Sequence, residues 1–222
     1  MKINNRLKKI GDLVKENTCC LDVGCDHAML DIYLTKRGKN IKAIASDIAE
    51  GPLNQAKENI KKEHLEKEIE TRLGRGLTTY SEEIDTVIIS GMGGRSMIEI
   101  LEESKQILPK IETFILSPNN YQQDVKEYLC KKDFYIEQEE LVEDSHFIYQ
   151  IIVFKRGKKK YTKKEYFFGP MLLQNKGDLF QKYYKREQER LEILYNLLPK
   201  NYFLLRYRTK KKIKMIKEET KD

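Results

Sequence analysis

Short apolar runs alternate with stretches of helical spacing along the first two thirds of this chain. Ile3, Leu7, Ile10, Leu13 and Val14 recur on one helix face, with Lys and Arg on the other, which predicts a first helix packed against the edge of a sheet. Residues 19–23 are apolar except for Asp22 and read as a buried strand; Met29, Ile32 and Tyr33 then carry helical spacing over 28–34. Further strands are predicted over 41–46, 69–73, 85–90 and 113–116, and helices over 52–63, 96–108 and 122–131. Pro52 suits the first turn of its helix, because its missing N–H has no partner there anyway. Residues 134–142 and 147–154 form two last strands. Their short acidic connection leaves no room for a crossover helix, so this pair is expected to be antiparallel.

From Gly157 the pattern changes, which places a boundary between a domain over 1–156 and a second over 157–222. Lys158, Lys159 and Lys160 read as a linker, and Thr162 with Glu165 as a capping box. Leu173, Phe180, Tyr184, Leu191, Leu194 and Leu198 make a seam with spacings of seven, four and three, interrupted by Gly177 and carrying Glu187 at one position. Pro199-Lys200-Asn201 breaks that helix, and a new one over 202–217 has Leu205, Ile213 and Ile216 inward. The expectation is an antiparallel helical hairpin with a coiled-coil seam that buries itself, hence a monomer.

Charge sharpens this division. The 222 residues carry a net +7, but residues 1–154 hold 21 Lys and Arg against 27 Asp and Glu, whereas residues 155–222 hold 21 against 8. A uniform taste for lysine does not segregate in this way, so the basic segment is read as seeking a polyanion. No apolar run approaches the ~20 residues of a membrane span, and the charged start leads straight into a helix pattern, so a cytoplasmic location is expected. Cys19, Cys20, Cys25 and Cys130 have no C-x-x-C spacing, and His27, His64 and His146 are far apart. No metal site is expected, and Cys25 is the thiol placed near a ligand.

In an open parallel sheet, ligands sit beyond the carboxyl ends of the strands. Five unusual clusters fall at such ends: Asp22-x-Gly24-x-Asp26-His27, Asp47, Gly74-x-Gly76, Gly91-Met92-Gly93-Gly94 and Pro118-Asn119-Asn120. Gly24 is followed by Cys25 and Asp26, not by the further glycines of a dinucleotide fingerprint, and Asp22 repels phosphate while suiting a cation. A nucleoside with a cationic tail fits better, and S-adenosylmethionine is such a molecule. Asp47 can accept both ribose hydroxyls, and the glycines after residue 90 let a ligand approach the backbone closely. Alternating strands and helices closed by an antiparallel pair point to a doubly wound, seven-stranded Rossmann-like α/β domain of the kind many methyltransferases use, followed by the helical hairpin.

Taken together, Asp22-Val-Gly-Cys-Asp-His-Ala28, Asp47 with Gly51-Pro52, Gly91-Met-Gly-Gly94 and Pro118-Asn119 resemble the bacterial tRNA (adenine-22-N1)-methyltransferases over residues 6–155. The basic hairpin is similar to that family's C-terminal coiled-coil domain. The chain departs from the family pattern at Met29, Asp31, Arg75 and Ser117. The resemblance implies methyl transfer from S-adenosylmethionine to N1 of an adenine in the D-arm of tRNA. Expected at the cofactor are Asp22, Gly24, Cys25, His27, Asp47, Ile48, Gly76, Leu77, Gly91, Met92 and Gly93. Asp26 and Asn119 are the catalytic candidates, at the N6 amine. Expected to meet the tRNA are Arg95, Asn120 and Tyr121 near the target base, and Arg206, Arg208, Lys210, Lys211 and Lys212 on the hairpin, with Tyr207 interleaved. The target base must also leave its pair. The alternatives are another RNA or a protein as methyl acceptor, or a non-catalytic RNA-binding module; the absent glycines disfavour a dehydrogenase.

Overall fold

The computed structural model describes residues 3–38 and 40–220. They divide into two compact units, Met1–Lys160 and Tyr161–Asp222.

The first unit alternates strand and helix as the pattern requires. Its order is α1 (Asn5–Leu13), β1 (Cys19–Val23), α2 (Met29–Lys36), β2 (Lys42–Asp47), α3 (Glu50–Lys62), β3 (Ile69–Leu73), a 3-10 turn (Gly76–Thr79), β4 (Thr86–Ser90), α4 (Gly94–Glu103), β5 (Thr113–Ser117), α5 (Gln122–Cys130), β6 (Phe134–Asp144) and β7 (Phe147–Arg156). The strands form one sheet in the order β3-β2-β1-β4-β5-β7-β6. The first five are parallel, β7 runs antiparallel to β5, and β6 antiparallel to β7. Because β1 and β4 are neighbours, the strand order reverses between them, and the turns after both open onto one crevice.

Apolar side chains cover both faces. On one, Ile10 of α1, Val14 just after it, and Leu30 and Leu34 of α2 pack with Cys20, Ile88, Ile115, Ile151 and Val153. On the other, Ala28, Ile32, Leu53, Ala56 and Ile60 pack with Ala43, Ala45 and Ile69. So α1 lies across a face of the sheet and not merely along its edge. Its polar flank is stitched to the edge strand β6: Asn5 Nδ2 donates to the Glu143 carbonyl at 3.2 Å and Lys9 pairs with Glu140 at 3.3 Å, while Lys15, just past the helix, pairs with Glu137 at 3.7 Å. These contacts aim the first turn of α1 at the carboxyl end of the sheet. Beneath α5, the fully buried Lys126 pairs with Glu139 at 3.3 Å, and Gln150 Nε2 donates to the same carboxylate at 2.9 Å. Burial lowers the proton affinity of Lys126, and the pair fixes the helix that follows Asn119 and Asn120.

Helix α4 begins two residues earlier than its spacing suggests and ends sooner, at Glu103. The early start has a cause in another loop, described below.

The second unit holds α6 (Lys163–Phe168), α7 (Pro170–Gln174), α8 (Asp178–Leu197) and α9 (Phe203–Glu219). Thr162 Oγ1 accepts the Glu165 amide at 3.2 Å and the Glu165 carboxylate accepts the Thr162 amide at 2.7 Å, a reciprocal cap on α6. Gly177 separates α7 from α8. Phe168, Phe180 and Tyr184 form an aromatic cluster, tied by the Tyr184 hydroxyl donating to the Phe168 carbonyl at 2.6 Å. Leu191, Ile213 and Ile216 are buried between the long helices, but Leu205, expected inward, is 43 % exposed. The reason is Arg206: its Nη1 donates to the Tyr195 and Leu198 carbonyls at 2.9 and 2.5 Å, so a guanidinium fills the space near the α8–α9 connection. A continuous leucine seam therefore does not reach that end.

Candidate functional site

The turn after β1 is held in an unusual backbone path. Gly24, Asp26 and Ala28 all have positive φ, at 77°, 52° and 54°. Only Gly24 adopts this without a Cβ penalty, so the turn carries local strain of the kind that collects at ligand sites. The amides of Gly24 and Cys25 both donate to the Ser46 carbonyl, at 2.9 and 3.0 Å, which lashes this turn to the end of β2. Asp47 thereby lies beside it. One Asp47 oxygen accepts the Ala49 amide at 2.9 Å; the side chain is otherwise only partly buried at the end of β2. Ile48, next along, is 64 % exposed and offers an apolar surface. Asp26 and His27 point outward, Oδ1 to Nε2 at 3.5 Å, and both are exposed.

The loops after β4 and β5 interlock. Gly91 N donates to the Ser117 carbonyl at 3.3 Å and Asn119 N to the Met92 carbonyl at 3.0 Å. Asn119 Nδ2 donates to the Gly91 carbonyl at 2.8 Å. Asn120 Oδ1 accepts the Gly94 amide at 3.1 Å, capping α4 and explaining its early start. A Cβ on Gly24 would stand 3.1 Å from Met92 Cε, so Met92 joins this assembly to the β1 turn. Arg95 stacks over the Tyr121 ring at 4.3 Å.

The turn after β3 joins through Gly74 N, which donates to the Asp47 carbonyl at 2.9 Å. Gly76 has φ 54°. Leu77, expected at the cofactor, is fully buried, backbone and side chain alike, because its side chain packs into the core beneath the 3-10 turn, so the structure does not present it to a ligand. Arg75 turns away and forms a two-pronged pair with Glu103, at 2.9 and 2.7 Å.

The fold thus gathers Asp22, Gly24, Cys25, Asp26, His27, Asp47, Ile48, Gly76, Gly91, Met92, Gly93 and Asn119 at the carboxyl ends of five strands. Asn120 joins them with its side-chain oxygen already engaged. In the second unit, Arg208, Lys210 and Lys211 are exposed on α9, while Lys212 lies over the Phe167 ring at 5.2 Å and Arg206 caps α8. One residue that periodicity places among the solvent-facing cations of α1 also reaches the rim: Arg6. Nothing local marks it out, since its contacts lie more than a hundred residues away.

The electrostatics of the crevice are one-sided. Asp22 and Asp31 are both buried, and no cation pairs with either among the described residues. Both Asp31 oxygens lack a hydrogen-bond partner. Burial, then the charges of Asp31 and Asp47, raise the Asp22 carboxyl well above the usual range; burial pushes Asp31 up to about 7. Burial also raises the Cys25 thiol, which makes it a wall and not a nucleophile. An acidic, glycine-lined crevice beside a strand-end carboxylate suits a cationic nucleoside such as S-adenosylmethionine. A separate cavity of about 210 Å³ lies at the amino ends of the strands, lined by Thr18, Asp85, Thr86, Glu112 and Thr113 among others. It has no glycine turn and lies at the wrong end of the sheet for this chemistry. Among the described residues no His, Cys, Asp and Glu group suits a metal, and no helix is long and apolar enough to cross a membrane.

A parallel sheet with an antiparallel strand inserted before its edge, a glycine turn after β1 and an aspartate closing β2 define a Rossmann-like S-adenosylmethionine-dependent methyltransferase. Within that class, the family model for tRNA (adenine(22)-N(1))-methyltransferase matches residues 20–219, and the chain belongs to this family. It is 29 % identical over 202 residues to the tRNA (adenine(22)-N(1))-methyltransferase of Bacillus subtilis, covering 88 % of this chain and 85 % of that one. A Streptococcus agalactiae protein of the NADB-Rossmann superfamily superposes with a TM-score of 0.92 at 34 % identity, over 100 % of this chain and 98 % of its own. M. capricolum TrmK, solved with the cofactor product S-adenosyl-homocysteine, superposes with a TM-score of 0.85 at 29 % identity, over 98 % and 97 %.

Proposed function

We propose that this protein methylates N1 of the adenine at position 22 of tRNA. The observation that carries the reading is the crevice where uncompensated Asp22, a half-engaged Asp47 and the exposed amide of Asn119 meet on one rim. S-adenosylmethionine, when bound, supplies an electrophilic methyl group on a positively charged sulfur. Asp47 is suited to the ribose hydroxyls, Asp22 to the positive charge of the methionine end, and Gly24, Gly91 and Gly93 to close approach of the backbone.

Adenine N1 has its own lone pair, so no strong base is needed. The ring becomes a cation as the bond forms, and its N6 amine becomes a better hydrogen-bond donor. Asn119 Oδ1 and the Asp26 carboxylate are acceptors on the rim that can strengthen their bonds to that amine as charge develops. Tyr121 is an exposed ring backed by Arg95 and suits stacking on a base drawn out of its pair. The exposed cations of α9 suit phosphate contacts.

The test is direct. Purified protein, labelled S-adenosylmethionine and unmodified tRNA carrying A22 are incubated, and the RNA is digested to nucleosides. The expected product is labelled 1-methyladenosine that disappears when A22 is replaced by G. Label in another nucleoside, or none despite bound S-adenosylhomocysteine, overturns the assignment.

A further inference from the structure

Arg6 differs from Lys9 on its own helix and from Lys15 just beyond it: those two pair with acids of β6, whereas no carboxylate pairs with Arg6 among the described residues. Its guanidinium carbon instead lies 4.6 Å from the centre of the Tyr149 ring. Its Nη1 reaches Asn119 Oδ1 at 3.5 Å, and a Cβ on Gly91 would lie 3.2 Å from its Nη2. Its Nε is buried without a partner. A planar cation is thus clamped between an aromatic face and the backbone of the β4 turn, with one edge against a single side-chain oxygen.

That oxygen belongs to the amide placed at the adenine amine. An asparagine amide has a donor end and an acceptor end of nearly equal shape, and only its partners decide which way it faces. Here the donor end gives a hydrogen to the Gly91 carbonyl, and the acceptor end faces Arg6. A flipped amide would set its NH2 against the guanidinium and two oxygens against each other, so Arg6 and Gly91 together exclude it. Oδ1 has two lone pairs, and Arg6 engages one.

We propose that Arg6 is a positioning residue that locks Asn119 with its acceptor toward the target base and so sets the enzyme to read an N6 amine. This rests on the proposed function for the identity of the base. A phosphate contact is the rival role for an arginine near an RNA site. It is disfavoured by the neighbourhood, since Asn5 binds the Glu143 carbonyl and the adjacent end of β6 carries Glu143 and Asp144. Acids beside a guanidinium repel an incoming phosphate.

The experiment is a double-mutant cycle on Arg6→Ala and Asn119→Ala, read as kcat and KM for A22 tRNA, with S-adenosylhomocysteine affinity and melting temperature measured on each protein. Arg6→Ala is expected to lower kcat by about 10- to 100-fold while moving KM and cofactor affinity by less than about 3-fold. In the Asn119→Ala background the same change is expected to cost less than about 3-fold further, because the group it orients is gone. Arg6→Lys keeps the charge but not the planar clamp, and is expected to recover little. Losses that multiply across the cycle, a rise in KM with a shallower salt dependence, or full rescue by lysine overturn the proposal. If Arg6→Ala melts much earlier, Arg6→Met, which keeps an apolar stem over Tyr149 but deletes the donor, reads the same cycle with the same expected and overturning outcomes. The product nucleoside of the wild-type enzyme reports separately on the proposed function, so a wrong target and a wrong role for Arg6 give different results.

Discussion

Asn120 Oδ1 accepts the Gly94 amide at 3.1 Å, so the loop after β5 caps the helix after β4. The two loops approach so closely because residue 94 has no side chain. A Cβ there would collide with the Asn120 carbonyl oxygen and stand 3.0 Å from Tyr121 Cβ and Val125 Cγ2.

Gly94→Ala must therefore separate α4 from the β5 loop. We expect a loss of about 1–3 kcal/mol of stability from overpacking and a further drop in turnover, because Asn119 and Tyr121 move with the loop. Asn120→Ala removes only the cap, at about 1 kcal/mol. Denaturant melts of both variants check the ranking; equal stability of Gly94→Ala and the parent would show that the loops are free to part.

Asp47→Ala should weaken S-adenosylhomocysteine binding by at least about 10-fold, since hydrogen bonds to an ionised acceptor contribute about 1.5–3 kcal/mol. The fold should barely notice, because only the Ala49 amide is deprived of a partner. Calorimetric titration beside a thermal melt separates the two effects. Unchanged affinity would remove Asp47 from the ribose.

Asp31 predicts how stability varies with pH. In the unfolded chain this carboxyl ionises near 3.8, whereas burial holds it protonated to about pH 7 in the fold. Its stabilising contribution is therefore full below pH 3.8 and is lost as the pH rises to about 7. Asp31→Asn should flatten that decline. At pH 8 it should be more stable than the parent by on the order of 2 kcal/mol, a gain limited by the amide's own unmet hydrogen bonds. The proton affinity of Asp22 should fall as well, since Asp31 is one of the charges that raise it. Urea melts between pH 5 and pH 8 measure the slope; parallel curves for both proteins would contradict this account.

The exposed cations of α9 predict a salt effect. Replacing Lys210 and Lys211 by Ala should weaken tRNA binding and reduce the slope of log affinity against log salt by about 0.7–0.9 for each phosphate left without its cation. Arg206→Ala should differ in kind, lowering the melting temperature because the α8 carbonyls are deprived of their donor. Binding isotherms at three salt concentrations distinguish the two.

Much of the architecture was legible from residue order. Strands, turns and crossover helices follow from apolar periodicity and from glycine and proline placement, because these act on the backbone within a few residues. The acidic strand ends at Asp22 and Asp47, and the glycine run after Ser90, could be placed on one rim because parallel strands joined by right-handed crossovers put their carboxyl ends together. Which polar groups remain available could not be read this way. Asn120 turned out to cap α4, Arg75 to pair with Glu103, and Arg206 to fill the space where Leu205 was expected. Arg6 looked like one more solvated cation until α1 was laid across the sheet. A side chain's hydrogen-bonding capacity is consumed by whatever the fold brings within about 3 Å, and those neighbours are set by packing between elements far apart in the chain. Periodicity carries the backbone's preferences; the use of each donor, acceptor and charge is settled only when the elements meet.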